Sequence, residues 1–540
     1  MIQISSIDLD KYRLDGEQKL WVYCGLDNCL THEVGETLRP QLNPKTSTRT
    51  YRFERAMQAP ALAMMRRGML VDQEAMHLAL YGDPSAVANP KEHDGDAEKA
   101  EVAASREREG LLARLARLSG LGRDAKGKTI VVDETAILQQ YANAIWGKGL
   151  NYNSPKQLQE ILYTALSIPP VVSNKKGKSS VTTDRKALEW LIDNYPRAEP
   201  LCRVILQARD LEGLIEVLTK GLDADGHMRC SYQVAGTETG RWSSSTSVFN
   251  TGTNLQNITY SLRRIFIPKP GYVFCNVDLE QAESRGVAYL SGDERYIEAC
   301  ESADLHTTVA HMVFGIPNVK SEAERPYYRH FTYRDMAKRA GHGLNYGLTP
   351  ASLARHMKIT VKEAFRMYMR YLGGELPETR AHTLELMDLP HTRLGKLVQF
   401  PGAFPGIRAW HETTRLELET EGELTTPLGR RRQFWQRLND SSTLREAIAY
   451  RPQSMIGDLL NIALWRVWNE LESDELHILG QVHDSIMFEV LENSIDKLMP
   501  RVLECMRNPV QINGRTLVIP AEVKIGRNWR DTKKWKVHGV

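Results

Sequence analysis

Residues 271–280, GYVFCNVDLE, read as one β-strand: aromatic and β-branched residues run up to a carboxylate, Asp278. More than 200 residues later, 476–490, LHILGQVHDSIMFEV, read as two short apolar strands around a polar centre, a hairpin with Asp484 in its middle. Only folding brings the two aspartates together. Helical sequence dominates from about 281 to 390 and also fills most of the N-terminal half. A sheet built from segments distant in sequence, embedded in helices, makes this an α+β chain whose sheet carries the chemistry. Two carboxylates on neighbouring strands suit a pair of divalent ions about 3.5–4 Å apart, which stabilise the attacking and the leaving oxygen of an in-line displacement. Oxygen ligands and phosphate favour Mg²⁺, with Mn²⁺ as a substitute. An isolated Asp is more often a turn residue or a strand terminator, so the reading rests on what surrounds the pair.

The bulk numbers set the frame. At 540 residues the chain exceeds one hydrophobic core, and 42% hydrophobic with 25% charged residues is ordinary globular composition. No apolar run approaches the roughly 20 residues of a spanning helix, and the first 20 residues hold no apolar signal core. Seven irregularly spaced cysteines form no C-x-x-C pair, so neither a disulfide framework nor a zinc site is expected, and a cytoplasmic setting is the simplest. The net charge of +3 says little. Basic clusters at Lys175, Lys176 and Lys178, at Arg263–Arg264, at Arg430–Arg432 and at Lys533–Lys536 are candidates for a phosphate track, although a solvated patch is the commoner meaning of any one of them.

Residues 334–347, RDMAKRAGHGLNYG, carry the next signal. Arg334, Lys338, His342 and Tyr346 recur every four residues and share one helix face over about 18 Å, the length scale of a nucleoside triphosphate. The cationic end suits phosphates and the ring-bearing end suits sugar and base. Gly343 and Gly347 are read as letting the base approach the backbone. Elsewhere, 53–72 reads as a helix stopping at Gly68, Ser154-Pro155 as a helix start, and 173–183, SNKKGKSSVTT, as a basic loop.

Together these stretches resemble the family A DNA polymerases, the bacterial DNA polymerase I and phage replicative group. DLEQAESR (278–285), RDMAKRAGHGLNYG (334–347) and QVHDS (481–485) look like that family's motifs A, B and C. TGRWSSS (239–245), NLQNI (254–258), DLH (304–306), LREAIAYRPQS (444–454) and IGRNW (525–529) add to the match, which runs from about residue 53 to the C-terminus.

The resemblance implies a right-hand fold: an antiparallel palm sheet at 231–292 and 438–540, helical fingers at 293–437, and a thumb at 53–230 with an insertion about 81–150. It implies Asp278, Asp484 and the Leu279 carbonyl as ligands of two Mg²⁺ ions. Arg334, Lys338 and His306 are placed at the triphosphate, Lys338 with a catalytic role, and Gln281 in the nucleotide site. Glu283 is implied as the gate against a 2′-hydroxyl, with Tyr346 holding it beside the nascent pair. Arg241, Gln256, Asn257, Arg285, Arg445, Gln453 and His483 are implied to face the duplex, and Lys175 and Lys176 to sit at the thumb tip. Primer-template DNA and dNTPs are the implied partners of a monomeric enzyme.

Three departures stand out. Ser485 takes the place where many members carry Glu, leaving Asp278 and Asp484 as the expected whole of the acidic core. His342 stands where Phe or Tyr is usual and sets discrimination at the sugar 3′-hydroxyl. Residues 1–52 look like the end of a 3′–5′ exonuclease domain, with Tyr23 and Asp27 matching its last motif and no room before them for the others. No proofreading by this chain alone is expected, and a separate exonuclease or processivity subunit is a candidate partner. The rival readings are a single-subunit RNA polymerase, against which Glu283 counts, a non-catalytic nucleic-acid-binding relative, and a nuclease using Tyr23 and Asp27.

Overall fold

The computed structural model describes residues 15–42, 47–89, 97–123, 129–175, 178–247, 249–329, 331–377 and 397–536. Its centre is a five-stranded antiparallel sheet in the order Leu476–Val482, Ser485–Leu491, Tyr272–Leu279, Ala521–Gly526, Thr532–Lys534. Tyr272–Leu279 lies in the middle, pairing from Tyr272 with Leu491 to Asp278 with Ser485 on one side, and from Phe274 with Gly526 to Leu279 with Ala521 on the other. Val273, Phe274, Cys275 and Val277 are all buried, because both faces of this strand are covered. The hairpin turns in only two residues, His483 and Asp484, with His483 at φ +53°.

There are two large cores, and the first contains the sheet's buried apolar residues. One gathers residues from Met57 to Ala282 and from Met455 to Trp529. The other gathers Val287 to Ile448, the segment between the two halves of the sheet. The long helix Ser441–Glu470 joins them: Ile448 packs in the second core and Met455 in the first, with Pro452 between. A proline in a helix leaves the carbonyl four residues earlier without its N–H partner and bends the axis.

Several expectations change. Residues 53–72 are not one helix: Ser47–Ala56 and Gln58–Arg67 are separate, and Met69–Val71 is a strand between His227–Met228 and Phe266–Ile267. Gly68 does end the second helix, at φ +67°, and a Cβ there would lie 2.8 Å from the Met228 carbonyl oxygen. The basic loop is in part paired strand, Val172–Lys175 antiparallel with Lys178–Val181. Residue 176 and the side chains of Lys175 and Lys178 lie outside the described residues. Ser154 caps the following helix as expected, accepting from the Gln157 N–H. Within the expected insertion about 81–150, Leu111, Leu118, Leu138 and Ala142 are buried in the first core.

The arginine clusters are structural. Arg430 is buried against Asp458 and Glu54. Arg431 pairs with Glu423, and Arg432 with Glu238 and Glu446. Arg263 lies 4.5 Å over the Trp529 ring, and Arg264 pairs with Glu107. Tyr23 and Asp27 lie on an exposed helix, Gly16–Leu38. No helix among the described residues is long and apolar enough to cross a membrane.

Candidate active site

Asp278 stands at the end of the central strand, and Asp484 in the adjacent hairpin turn. The Leu279 N–H donates to the Asp484 backbone carbonyl at 3.0 Å, which ties the two segments side by side. Burial, then repulsion from Asp484, pushes the Asp278 carboxyl up to about 6. Burial also raises Asp484, with Arg241 offsetting part of the effect and Glu283 adding to it. Crowded, half-buried carboxylates favour a divalent cation between them. Gln281 (φ +54°) and His483 (φ +53°), each beside one of the aspartates, hold left-handed backbone conformations that ordinary residues avoid.

These aspartates close one end of a cleft of about 320 Å³. The helix Tyr333–Asn345, started by a capping box between Thr332 and Asp335, also lines it. Lys338 and His342 line the cleft from that helix, as does His306 from the start of Leu305–Phe314. Burial, then the Arg334 and Lys338 cations, pushes His306 down to about 4, so at neutral pH it is an uncharged hydrogen-bonding group. Glu283 lines the cleft too. It accepts from the Tyr346 hydroxyl at 2.8 Å and from Arg241 Nη2 at 2.9 Å, and His342 Nδ1 lies 3.9 Å away. Gln281 Oε1, also lining the cleft, is buried without a hydrogen-bond partner.

A second cleft of about 230 Å³ adjoins the first. It is lined by Arg241, Gln256, Asn257 and His483, together with Asn254 and Gln481, to which the sequence assigned no role; the Gln481 amide is already committed to Asn461 Oδ1 at 3.0 Å. Gln256 Nε2 reaches the Gln481 carbonyl at 3.2 Å.

Residues 126–386 and 396–531 match the model of DNA polymerase family A. The chain belongs to this family. It is 28% identical over 405 residues to a thermostable DNA polymerase I of Thermus filiformis, covering 72% of this chain and 42% of that one. With DNA polymerase I of Mycobacterium tuberculosis it is 29% identical over 417 residues, 74% of this chain and 40% of that one. The chain thus spans less than half the length of these curated relatives. Its fold is similar to the POL domain of Pol1 from M. smegmatis, solved in complex with DNA primer-template and dNTP, at a TM-score of 0.61 and 24% identity over 88% of this chain and 70% of that one. The likeness establishes the right-hand α+β fold, in which the five-stranded sheet is the palm.

Against the motif positions of family A, several placements differ from expectation. Arg334 does not line the cleft. It donates to Asp304 at 3.0 Å, and Asp304 in turn caps the helix bearing His306. Arg285, expected to face the duplex, has a side chain 7% exposed and paired with Glu301, on the buried side of Ala282–Ser291. Arg241 lines the second cleft, but its guanidinium points to Glu283 and Asp484. The Gln453 backbone carbonyl accepts from Arg241 Nε at 3.3 Å, and Arg445 is half-buried on the same long helix.

Gly343 does not face the cleft either. A Cβ there would meet Leu348 Cδ1 at 2.7 Å, so the residue serves helix packing. Gly347 takes φ +72° just past the helix end and makes its turn. Ser485 is buried, its hydroxyl donating to the Val482 carbonyl at 2.9 Å.

Two aspartates are not the whole acidic surround. Glu283 adjoins Asp484, and Glu522 stands directly across from Asp278 on the other neighbouring strand, held by Lys534 at 2.8 Å. Nothing in the sequence near Glu522 marks it, since only the strand register brings it there. Among the described residues no cluster of three or more His, Cys, Asp or Glu is placed to hold a metal ion. The all-oxygen donors Asp278 and Asp484 still fit Mg²⁺, which takes one or two protein carboxylates and completes its shell with water and substrate phosphate.

Proposed function

We propose that the chain extends a primer 3′ end by template-directed addition of dNTPs. The observation that supports this best is that one cleft is lined by Asp278, Asp484, Lys338 and His306 together with Glu283, which Tyr346 fixes.

A triphosphate in the cleft meets Lys338, whose ammonium neutralises charge developing on the pyrophosphate leaving group. His306, uncharged, donates one ring N–H to a phosphate oxygen. Arg334 fixes Asp304, and so the N-terminus of the helix that presents His306, and its cation adds to the field at the phosphates. Two Mg²⁺ ions on Asp278, Asp484 and the Leu279 carbonyl would lower the barrier by neutralising the attacking and leaving oxygens. Glu283 occupies the space beside the sugar C2′, so that a ribonucleotide's extra hydroxyl meets a carboxylate already committed to Tyr346. His342 lies on the sugar side and sets the response to a missing 3′-hydroxyl. The donors of the second cleft suit minor-groove acceptors, which are nearly alike in all base pairs, so they test pair geometry without reading sequence. The chain acts without proofreading of its own, as a monomer or beside a separate exonuclease or processivity subunit.

Primer extension on a primed template with Mg²⁺ tests the reading. Asp278→Ala and Asp484→Ala are each expected to lose activity by roughly a hundredfold or more. Full activity in either refutes the mechanism. Faster extension with rNTPs than with dNTPs would turn the reading to an RNA polymerase. Release of a labelled 3′-terminal nucleotide that Asp27→Ala abolishes would overturn the absence of proofreading.

A further inference from the structure

We propose that Arg241 couples duplex binding to metal binding: its guanidinium competes with a divalent ion for Asp484, and a duplex in the second cleft draws it away. The inference rests on the polymerase reading of the site and adds to it a link between two ligands.

Arg241 stands between the clefts. It lines the one bounded by Gln256, Asn257 and His483, yet its Nη2 lies 2.9 Å from Glu283 Oε1 and 3.4 Å from Asp484 Oδ1. A single nitrogen therefore serves both carboxylates, and the contact to Asp484 is at the long limit of a hydrogen bond. Among the described residues, its other hydrogen bond, Nε to the Gln453 carbonyl, is also long at 3.3 Å. The side chain is 27% exposed, so the head group has solvent to move into. Its stem is placed more firmly: Gly457 leaves room for it, and a Cβ at 457 would come within 3.1 Å of Arg241 Cγ. A held stem with a loosely held charged head is the geometry of a pivot.

The two positions of that head are exclusive in effect. Beside Asp484 it supplies a positive charge on an oxygen that a metal ion needs, and it repels that ion. A duplex offers minor-groove acceptors to a guanidinium with spare N–H groups. Whatever moves the head towards the duplex releases Asp484. By linkage, duplex and metal then raise each other's affinity by the same factor. Glu283 keeps the Tyr346 hydroxyl throughout, so the sugar wall stays in place while the metal side opens.

The test is Mn²⁺ binding, measured by electron paramagnetic resonance on the full chain with and without a dideoxy-terminated primer-template, after subtracting Mn²⁺ held by the duplex alone. Wild type is expected to bind Mn²⁺ about five- to tenfold more tightly with duplex than without. Arg241→Gln without DNA should already bind at the tighter level, and duplex should add less than about twofold. Arg241→Met, which keeps the stem against Gly457, should behave the same way, and thermal melting checks that both variants are folded. Equal Mn²⁺ affinity in wild type and both variants without DNA, or an unchanged duplex effect in the variants, overturns the proposal. Mn²⁺ binding that survives Asp278→Ala would instead sink the reading of the metal site itself.

Discussion

Ser485 shows how a single residue departs from its family without leaving a gap. Its hydroxyl is buried and bonded to the Val482 carbonyl, directly across from Asp278. A Glu there would put a further negative charge against a carboxylate already raised to about 6. Ser485→Glu is therefore expected to leave turnover no higher than wild type and to cost about 2 kcal/mol of stability, read from the urea midpoint. A large gain in turnover would show that the site had lacked a ligand. Tyr346→Phe removes the 2.8 Å bond that orients Glu283. Discrimination of dNTP over rNTP should fall about tenfold, and further in Glu283→Ala, measured as the ratio of kcat/KM values. His306 carries a pH dependence. Its folded value of about 4 lies below its ordinary 6.5, so the unfolded chain takes the proton first and stability is lost as pH falls from about 6.5 to about 4. His306→Gln should lose less stability than wild type across that window, by at most about 3 kcal/mol.

At the scale of elements, the buried trio Arg430, Asp458 and Glu54 ties the long helix Ser441–Glu470 to the helix Ser47–Ala56. Burial raises both carboxyls, and Arg430 only offsets that. Arg430→Gln should destabilise the fold by about 3 kcal/mol at pH 7, and by less at pH 5 where the stranded carboxyls take up protons. A loss that is constant with pH would contradict this assignment. The same contrast explains what the sequence could show. The strand ending in Asp278, the hairpin around Asp484 and the stripe from Lys338 to Tyr346 were legible because each is a local pattern: a short apolar run bounded by polar residues, or a repeat near four. The helix break at Met57, the burial of Arg285 and the turn of Arg334 towards Asp304 were not, because each is decided by which element packs alongside. Glu522 lies across from Asp278 only through register, and Arg241 reaches Asp484 only through the tertiary fold.

At the scale of the whole molecule, the Val172–Lys175 and Lys178–Val181 strand pair belongs to the lobe that would grip duplex phosphates. Replacing Lys175, Lys176 and Lys178 by Ala should weaken duplex binding alike for all sequences and flatten the slope of log affinity against log salt by about 2 to 3. An unchanged slope would remove the strand pair from the interface. One feature of the sheet reaches beyond the finished protein. Its middle strand, Tyr272–Leu279, lies between partners that come more than 180 residues later in the chain, Ser485–Leu491 and Ala521–Gly526. During synthesis, at about 5–20 residues per second, Asp278 leaves the ribosome on the order of ten seconds or more before Asp484. Until then the nascent chain carries an unpaired apolar strand, and a segment with its own core from Val287 to Ile448 must be made before the gap can close. Asp278 and Asp484 therefore cannot come together until almost the whole chain has been made.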